Sequence, residues 1–193
     1  MKMGFIVNPI AGMGGRVGLK GTDGVLKEAI ARGAKPVSPK RAAEFLQELK
    51  ESMRSTKIEI LTCPGVMGEE EAKSVDVAVK ILPMTIGVET TADDTKKALW
   101  LLADEKVDLI VFVGGDGTAK DILDAMKDKG VDLPVLGIPS GVKMYSGVFA
   151  VNPSDAVEVV LAYAKGEAEI AEFEVMDADE TACLLYTSPS PRD

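Results

Sequence analysis

The chain has 193 residues, of which 46% are hydrophobic and 27% charged, a globular mix with enough apolar material for a core. Its formal net charge is −9 and no basic run exceeds two residues, which argues against a nucleic-acid surface built on clustered Lys and Arg. It has no histidine and two distant cysteines, Cys63 and Cys183. Histidine-based triads and general bases are thereby excluded, and a reducing cytoplasm fits better than a disulfide-stapled secreted fold.

In chain order, residues 4–7 read as a buried strand ended by Asn8-Pro9. A Gly-rich loop covers residues 12–24, and residues 25–32 have helical character up to Gly33. Ser38-Pro39 reads as a helix start, Ser as N-cap and Pro at the first helical position, with Ala42, Phe45, Leu46 and Leu49 on one face. Residues 57–62 form a second strand, 68–74 a short acidic helix and 77–82 a third strand. Thr91 with Asp94 has the form of a helix cap, and the helix that follows runs to about residue 106. Residues 108–113 read as a strand whose apolar run, 109–113, suits burial on both faces and falls far short of the ~20 residues that span a membrane. A helix over 118–129, a strand over 134–138 and a helix from Asn152-Pro153 to about Gly166 follow, and residues 169–176 partly alternate, as if opening a β region.

Strands alternate with helices throughout. The fold class is therefore α/β, a mostly parallel sheet with helices on both faces. Three segments are expected: an α/β domain over 1–166, assigned nucleotide binding by the loops and resemblance below, the start of a truncated β-rich second domain over 167–182, and a non-native tail over 183–193. The tail follows no earlier pattern and resembles translated adapter sequence.

Three Gly-containing loops follow strands, where open parallel sheets place their ligands. The central one is Gly114-Gly115-Asp116-Gly117-Thr118, between a buried strand and an amphipathic helix. Its glycines admit close backbone approach, and the helix N-terminus offers N–H groups and partial positive charge to phosphate. A carboxylate there repels phosphate, so Asp116 points to a Mg²⁺ partner or a base that takes a hydroxyl proton. As a bare Asp-Gly turn it would suit a hairpin, which the helical pattern from Thr118 opposes.

The second loop runs from Asn8 through Gly12, Gly14 and Gly15. It lacks the Gly-Lys-Ser/Thr of a P-loop, and Val17 stands where a dinucleotide fingerprint needs glycine. Thr22 and Asp23 extend it with polar groups suited to a substrate. The third loop, Gly137-Ile138-Pro139-Ser140-Gly141-Val142-Lys143-Met144-Tyr145-Ser146, places Lys143 as a point charge for phosphate. Elsewhere the plainer interpretation holds. Glu69-Glu70-Glu71 reads as a solvated helix start, Trp100 as packing, Cys63 as inert, and Asp177, Asp179 and Glu180 as solvated loop residues rather than a metal site.

Gly114-Gly115-Asp116-Gly117-Thr118 resembles the GGDGT signature of the NAD kinase and diacylglycerol kinase superfamily. Residues 4–15, Gly137-Ile138-Pro139-Ser140-Gly141-Val142-Lys143 and Val148-Phe149-Ala150-Val151-Asn152-Pro153 resemble its ATP-NAD kinase branch, which is expected to use ATP or polyphosphate. The resemblance covers residues 1 to about 181. It implies phosphoryl transfer, with Mg²⁺, to the adenosine ribose 2′-hydroxyl of NAD, giving NADP. Asp116 would be catalytic. Gly114, Gly115, Gly117 and Thr118 would cradle phosphate, while Asn8, Gly12, Gly14, Gly15, Ser140, Gly141 and Lys143 line the nucleotide crevice. The resemblance further implies small-molecule nucleotides as partners and a homo-oligomer at full length, while charge, the short apolar runs and the two cysteines point to no nucleic acid, no membrane and a cytoplasmic protein. The family's second, mainly β domain does not fit in this chain, so it is expected to be C-terminally truncated and to turn over little by itself. The competing expectations are a lipid or other small-alcohol kinase of the superfamily, a protein of acetoin catabolism with undefined substrate, and a non-catalytic nucleotide sensor.

Overall fold

A computed structural model describes residues 1–18, 26–53, 56–87, 89–141 and 144–176. Thr22, Asp23, Lys143, the acidic positions 177, 179 and 180, and the 183–193 tail lie outside the described residues. The elements run β1 (Lys2–Val7), α1 (Leu26–Ala31), α2 (Ser38–Ser52), β2 (Glu59–Thr62), α3 (Glu69–Ser74), β3 (Lys80–Ile81), α4 (Ala92–Asp104), β4 (Leu109–Gly114), α5 (Asp116–Lys129), β5 (Val135–Pro139) and α6 (Pro153–Lys165). All strand pairs are parallel, in the order β3-β2-β1-β4-β5.

The period-2 geometry of the two central strands divides the core. Met3, Phe5 and Val7 of β1 and Leu109, Val111 and Val113 of β4 face α2 and α6, meeting Phe45, Leu46, Leu49, Val157 and Val160. Ile6 of β1 with Ile110 and Phe112 of β4 face the opposite side, against Leu99 and Leu102 of α4 and Ile122 of α5. Both faces of β4 are therefore buried, which is why its sequence is apolar at every position rather than alternating. Phe5 stacks on Phe45 with ring centroids 5.7 Å apart. Gly4 sits on the α4 side, where a Cβ would lie 2.8 Å from Ile110 Cδ1 and 2.9 Å from Leu102 Cδ1. The missing side chain makes room for Leu102 at the sheet.

Capping fixes several boundaries. The Thr91 N–H and hydroxyl both donate to the Asp94 carboxylate at 2.9 Å, starting α4. Asn152 Oδ1 accepts the Asp155 N–H at 3.0 Å, starting α6. Trp100 is a packing residue, its indole N–H donating to Ala125 O at 2.9 Å and tying α4 to α5.

Some expectations are corrected. Ser38 is not an N-cap; it is the first residue of α2, and its buried hydroxyl donates to Ala11 O at 3.2 Å, pinning the helix to the loop after β1. The third strand is two residues long rather than six, while Val77 and Val79, which gave the apolar pattern, pack beside the core before pairing begins. Helix α5 begins two residues earlier than its apolar face indicated, so Asp116 lies in its first turn. Residues 167–176 carry no strand; the partial alternation reflects Val175 and Phe173 packing on the domain, not a ladder. Glu71 is not solvated but 5% exposed.

Candidate functional site at the switch point

The strand order reverses between β1 and β4. The connection from β1 to β2 runs over the α2 face and that from β4 to β5 over the α5 face, so the loops leaving β1 and β4 diverge at their carboxyl ends, the place where open parallel sheets bind ligands. The first two loops read from the sequence meet there. The Asn8 N–H donates to Val113 O at 3.0 Å, extending the β1–β4 ladder one rung. Its side-chain amide then reaches across to Thr118 Oγ1 at 2.9 Å, while its Oδ1 accepts the Ile10 N–H at 3.3 Å. A single asparagine therefore closes its own turn and clamps the loop after β1 onto the first turn of α5.

Thr118 is buried, and it sits where a side chain on Gly114 would go: a Cβ there would lie 2.5 Å from Thr118 Oγ1. Gly114 is thus required by packing. Gly115 precedes α5 in extended conformation, with no side chain among the described residues capping the helix there. The first-turn N–H groups of a 14-residue helix are left to other acceptors. Gly117 is exposed at this turn.

The third loop joins from β5. Ser140 N–H donates to Gly114 O at 3.0 Å. Gly12, at φ +80°, packs so closely that a Cβ would lie 2.1 Å from the Ser140 carbonyl oxygen. The Ser140 hydroxyl is buried and lacks a partner among the described residues. Gly14 and Gly15 open a 3₁₀ turn directly after this junction. Gly141 and Gly115 both lie against the Met144 methyl.

Asp116 projects from the first turn of α5, where negative charge is favoured by the helix dipole. Its Oδ1 accepts the Ser146 N–H at 2.9 Å, and Tyr145 N–H lies 3.0 Å from Oδ2 and 3.3 Å from Oδ1. Two backbone donors thus fix the carboxylate while leaving acceptor positions open. No role for Tyr145 or Ser146 is readable from the sequence. Backbone donors carry no residue signature, so only the fold reveals them.

The structure therefore brings together Asn8, Gly12, Gly114, Gly115, Asp116, Thr118, Ser140 and Gly141. Among the described residues no cluster of three or more metal-ligating side chains forms, and no helix is long and apolar enough to cross a membrane. Cys63 is buried with its thiol pushed up to about 12 by desolvation, in keeping with an inert residue.

A family model described as the ATP-NAD kinase N-terminal domain matches residues 3–168. No curated protein matches the chain. Among solved structures, UDP-GlcNAc 2-epimerase from Neisseria meningitidis bound to UDP-GlcNAc is similar over 86% of this chain and 42% of that one, with 11% identity and a TM-score of 0.39. The chain spans under half the length of that enzyme.

Proposed function

The chain belongs to the ATP-NAD kinase family, and on that premise we propose that its crevice transfers a phosphoryl group from ATP or polyphosphate to the ribose 2′-hydroxyl of NAD, giving NADP. The observation that carries this reading is the pairing at the switch point of an uncapped helix N-terminus with a carboxylate fixed in that helix's first turn. A phosphate-only site needs the first and is weakened by the second. A transfer site needs both.

The donor phosphates lie along the Gly114, Gly115, Gly117 and Thr118 turn, with the Asn8 and Gly12–Gly15 loop forming the opposite wall and Ser140, Gly141 and Lys143 completing the cradle. The buried Ser140 hydroxyl supplies a donor without a partner among the described residues. Thr22 and Asp23 contact the acceptor. Asp116 takes the 2′-hydroxyl proton as that oxygen attacks phosphorus and the bond to the leaving phosphate breaks. Mg²⁺ suits a site with a single fixed carboxylate, because it is commonly held by one or two carboxylates together with substrate phosphates. When bound, it neutralises charge on the phosphate oxygens. The protein acts in the cytoplasm on small-molecule nucleotides, as a homo-oligomer.

The test is NADP formation by the whole protein that carries this domain from NAD, Mg²⁺ and either donor, with Asp116→Asn as control. The amide keeps one oxygen acceptor but no base, so kcat should fall by on the order of 10²–10⁴-fold while donor binding survives. Absence of NADP with both donors, nucleotide still bound, refutes the acceptor assignment and favours another alcohol substrate or a sensor. Unchanged turnover in Asp116→Asn refutes the base.

A further inference from the structure

The donors that hold Asp116 belong to a loop with no secondary structure of its own, so what anchors that loop also sets the carboxylate. On one side the anchor is the sheet: Gly137 N–H donates to Val148 O at 2.8 Å and Ala150 N–H to Gly137 O at 2.9 Å. On the other side it is the segment leaving the domain after α6. Ser146 Oγ, in a residue 5% exposed, accepts the Met176 N–H at 3.0 Å, and the Gly147 N–H donates to Glu174 O at 3.1 Å. Phe173 closes over Gly147, where a Cβ would lie 2.9 Å from Phe173 Cβ. One residue therefore faces both ways. The Ser146 backbone N–H holds Asp116 and its side chain holds the exit segment.

We propose that Ser146 is a positioning residue through which residues 173–176 set the orientation of the Asp116 carboxylate. The functional consequence rests on Asp116 being the base of the transfer. The contact itself does not. A carboxylate turned by an unanchored loop loses its aim at the hydroxyl, and a misplacement of about 1 Å costs on the order of 10²-fold in rate. The exit segment is consequently an input to the site: tension or release at residues 173–176 reaches Asp116 through two hydrogen bonds.

Ser146→Ala separates the two functions of this residue, because it keeps the backbone donor and deletes only the anchor. The experiment is amide hydrogen exchange on the full chain, read at Tyr145, Ser146 and Met176, with Ile110 and Val111 as core references. In Ser146→Ala, exchange at Tyr145 and Ser146 should accelerate roughly three- to tenfold, as expected for losing one ordinary hydrogen bond, with the references unchanged. Ser146→Thr should restore protection. Gly147→Ala, which displaces Phe173 without touching a polar group, should reproduce the Ala result. In the whole protein that carries this domain, kcat should fall in Ser146→Ala with the donor KM unchanged. Unchanged exchange at Tyr145 and Ser146, or equal acceleration at Ile110 and Val111, overturns the proposal. If wild type forms no NADP while the exchange coupling appears, the assigned reaction fails and the positioning role stands.

Discussion

Glu71 offers the most direct test of how burial governs this fold. Its carboxyl is pushed up from 4.5 to about 7, chiefly by desolvation, with Glu70 adding repulsion and the Gly68 and Glu71 N–H groups pulling the other way. Oε2 is buried with no hydrogen-bond partner among the described residues. The folded state thus binds this proton more tightly than the unfolded chain. The stabilising contribution is complete below the unfolded value of 4.5 and is lost as pH rises through about 7. Part of the loss has occurred by pH 5, and between pH 5 and pH 8 linkage gives a further decrease of about 2–3 kcal/mol. For a domain of this size that is a fall in Tm of roughly 5–10 °C. Glu71→Gln removes the ionisation and keeps the shape. Urea denaturation of both proteins across this pH range, read through the single tryptophan, isolates the effect as a difference, since other groups titrate equally in both. The variant should lose about 2–3 kcal/mol less than wild type between the two ends. Parallel curves would refute the argument that the Glu71 carboxyl is desolvated.

Two further outcomes follow from packing. Gly12→Ala meets both a left-handed backbone at φ +80° and the Ser140 carbonyl at 2.1 Å, whereas Gly18→Ala meets a φ of +76° with open space around it. Gly18→Ala should cost about 1–2 kcal/mol, and Gly12→Ala clearly more in denaturant titration, along with weakened nucleotide binding; equal costs would show that the Gly12–Ser140 contact is not tight. The Cys63 thiol, in a Cys183→Ser background, should resist a thiol reagent at pH 8 and react only as the protein unfolds; rapid stoichiometric labelling of the native protein would contradict its burial.

The sequence reveals most clearly what is encoded locally. The β4 run Leu109-Ile110-Val111-Phe112-Val113, the Thr91–Asp94 cap and the Asn152 cap are each readable because the residues that cause the structure lie within a few positions of it. Asp116 was legible as a chemical anomaly, an acid in a phosphate-type loop. Strand order was supplied by no local pattern, since β1 finds β4 more than a hundred residues away. The Asn8–Thr118 clamp and the Gly12–Ser140 contact depend on that pairing and were visible only as separate glycine loops. Glu71 misled because three consecutive glutamates at a helix start have the pattern of a solvated turn. Its burial comes from the way α3 packs against α2, a long-range fact. Ser38 misled in the same way: its type suited a cap, but a carbonyl in the loop after β1 claimed its hydroxyl.

The two margins of the sheet have a bearing on how the molecule meets its own copies. On one side β3 is only two residues long, and Lys80 there is engaged by Glu105 at 2.6 Å, leaving a short, charged rim. On the other, the segment around Phe149 lies along β5 and occupies the Gly137 N–H and C=O. Unpaired strand edges are templates for runaway pairing. Here one margin is truncated and the other sheathed by the very loop that carries Tyr145 and Ser146. The segment that holds Asp116 thus closes the β5 edge at Gly137, so a lesion that strips that loop from the sheet would both reopen this rung and cost the carboxylate its alignment.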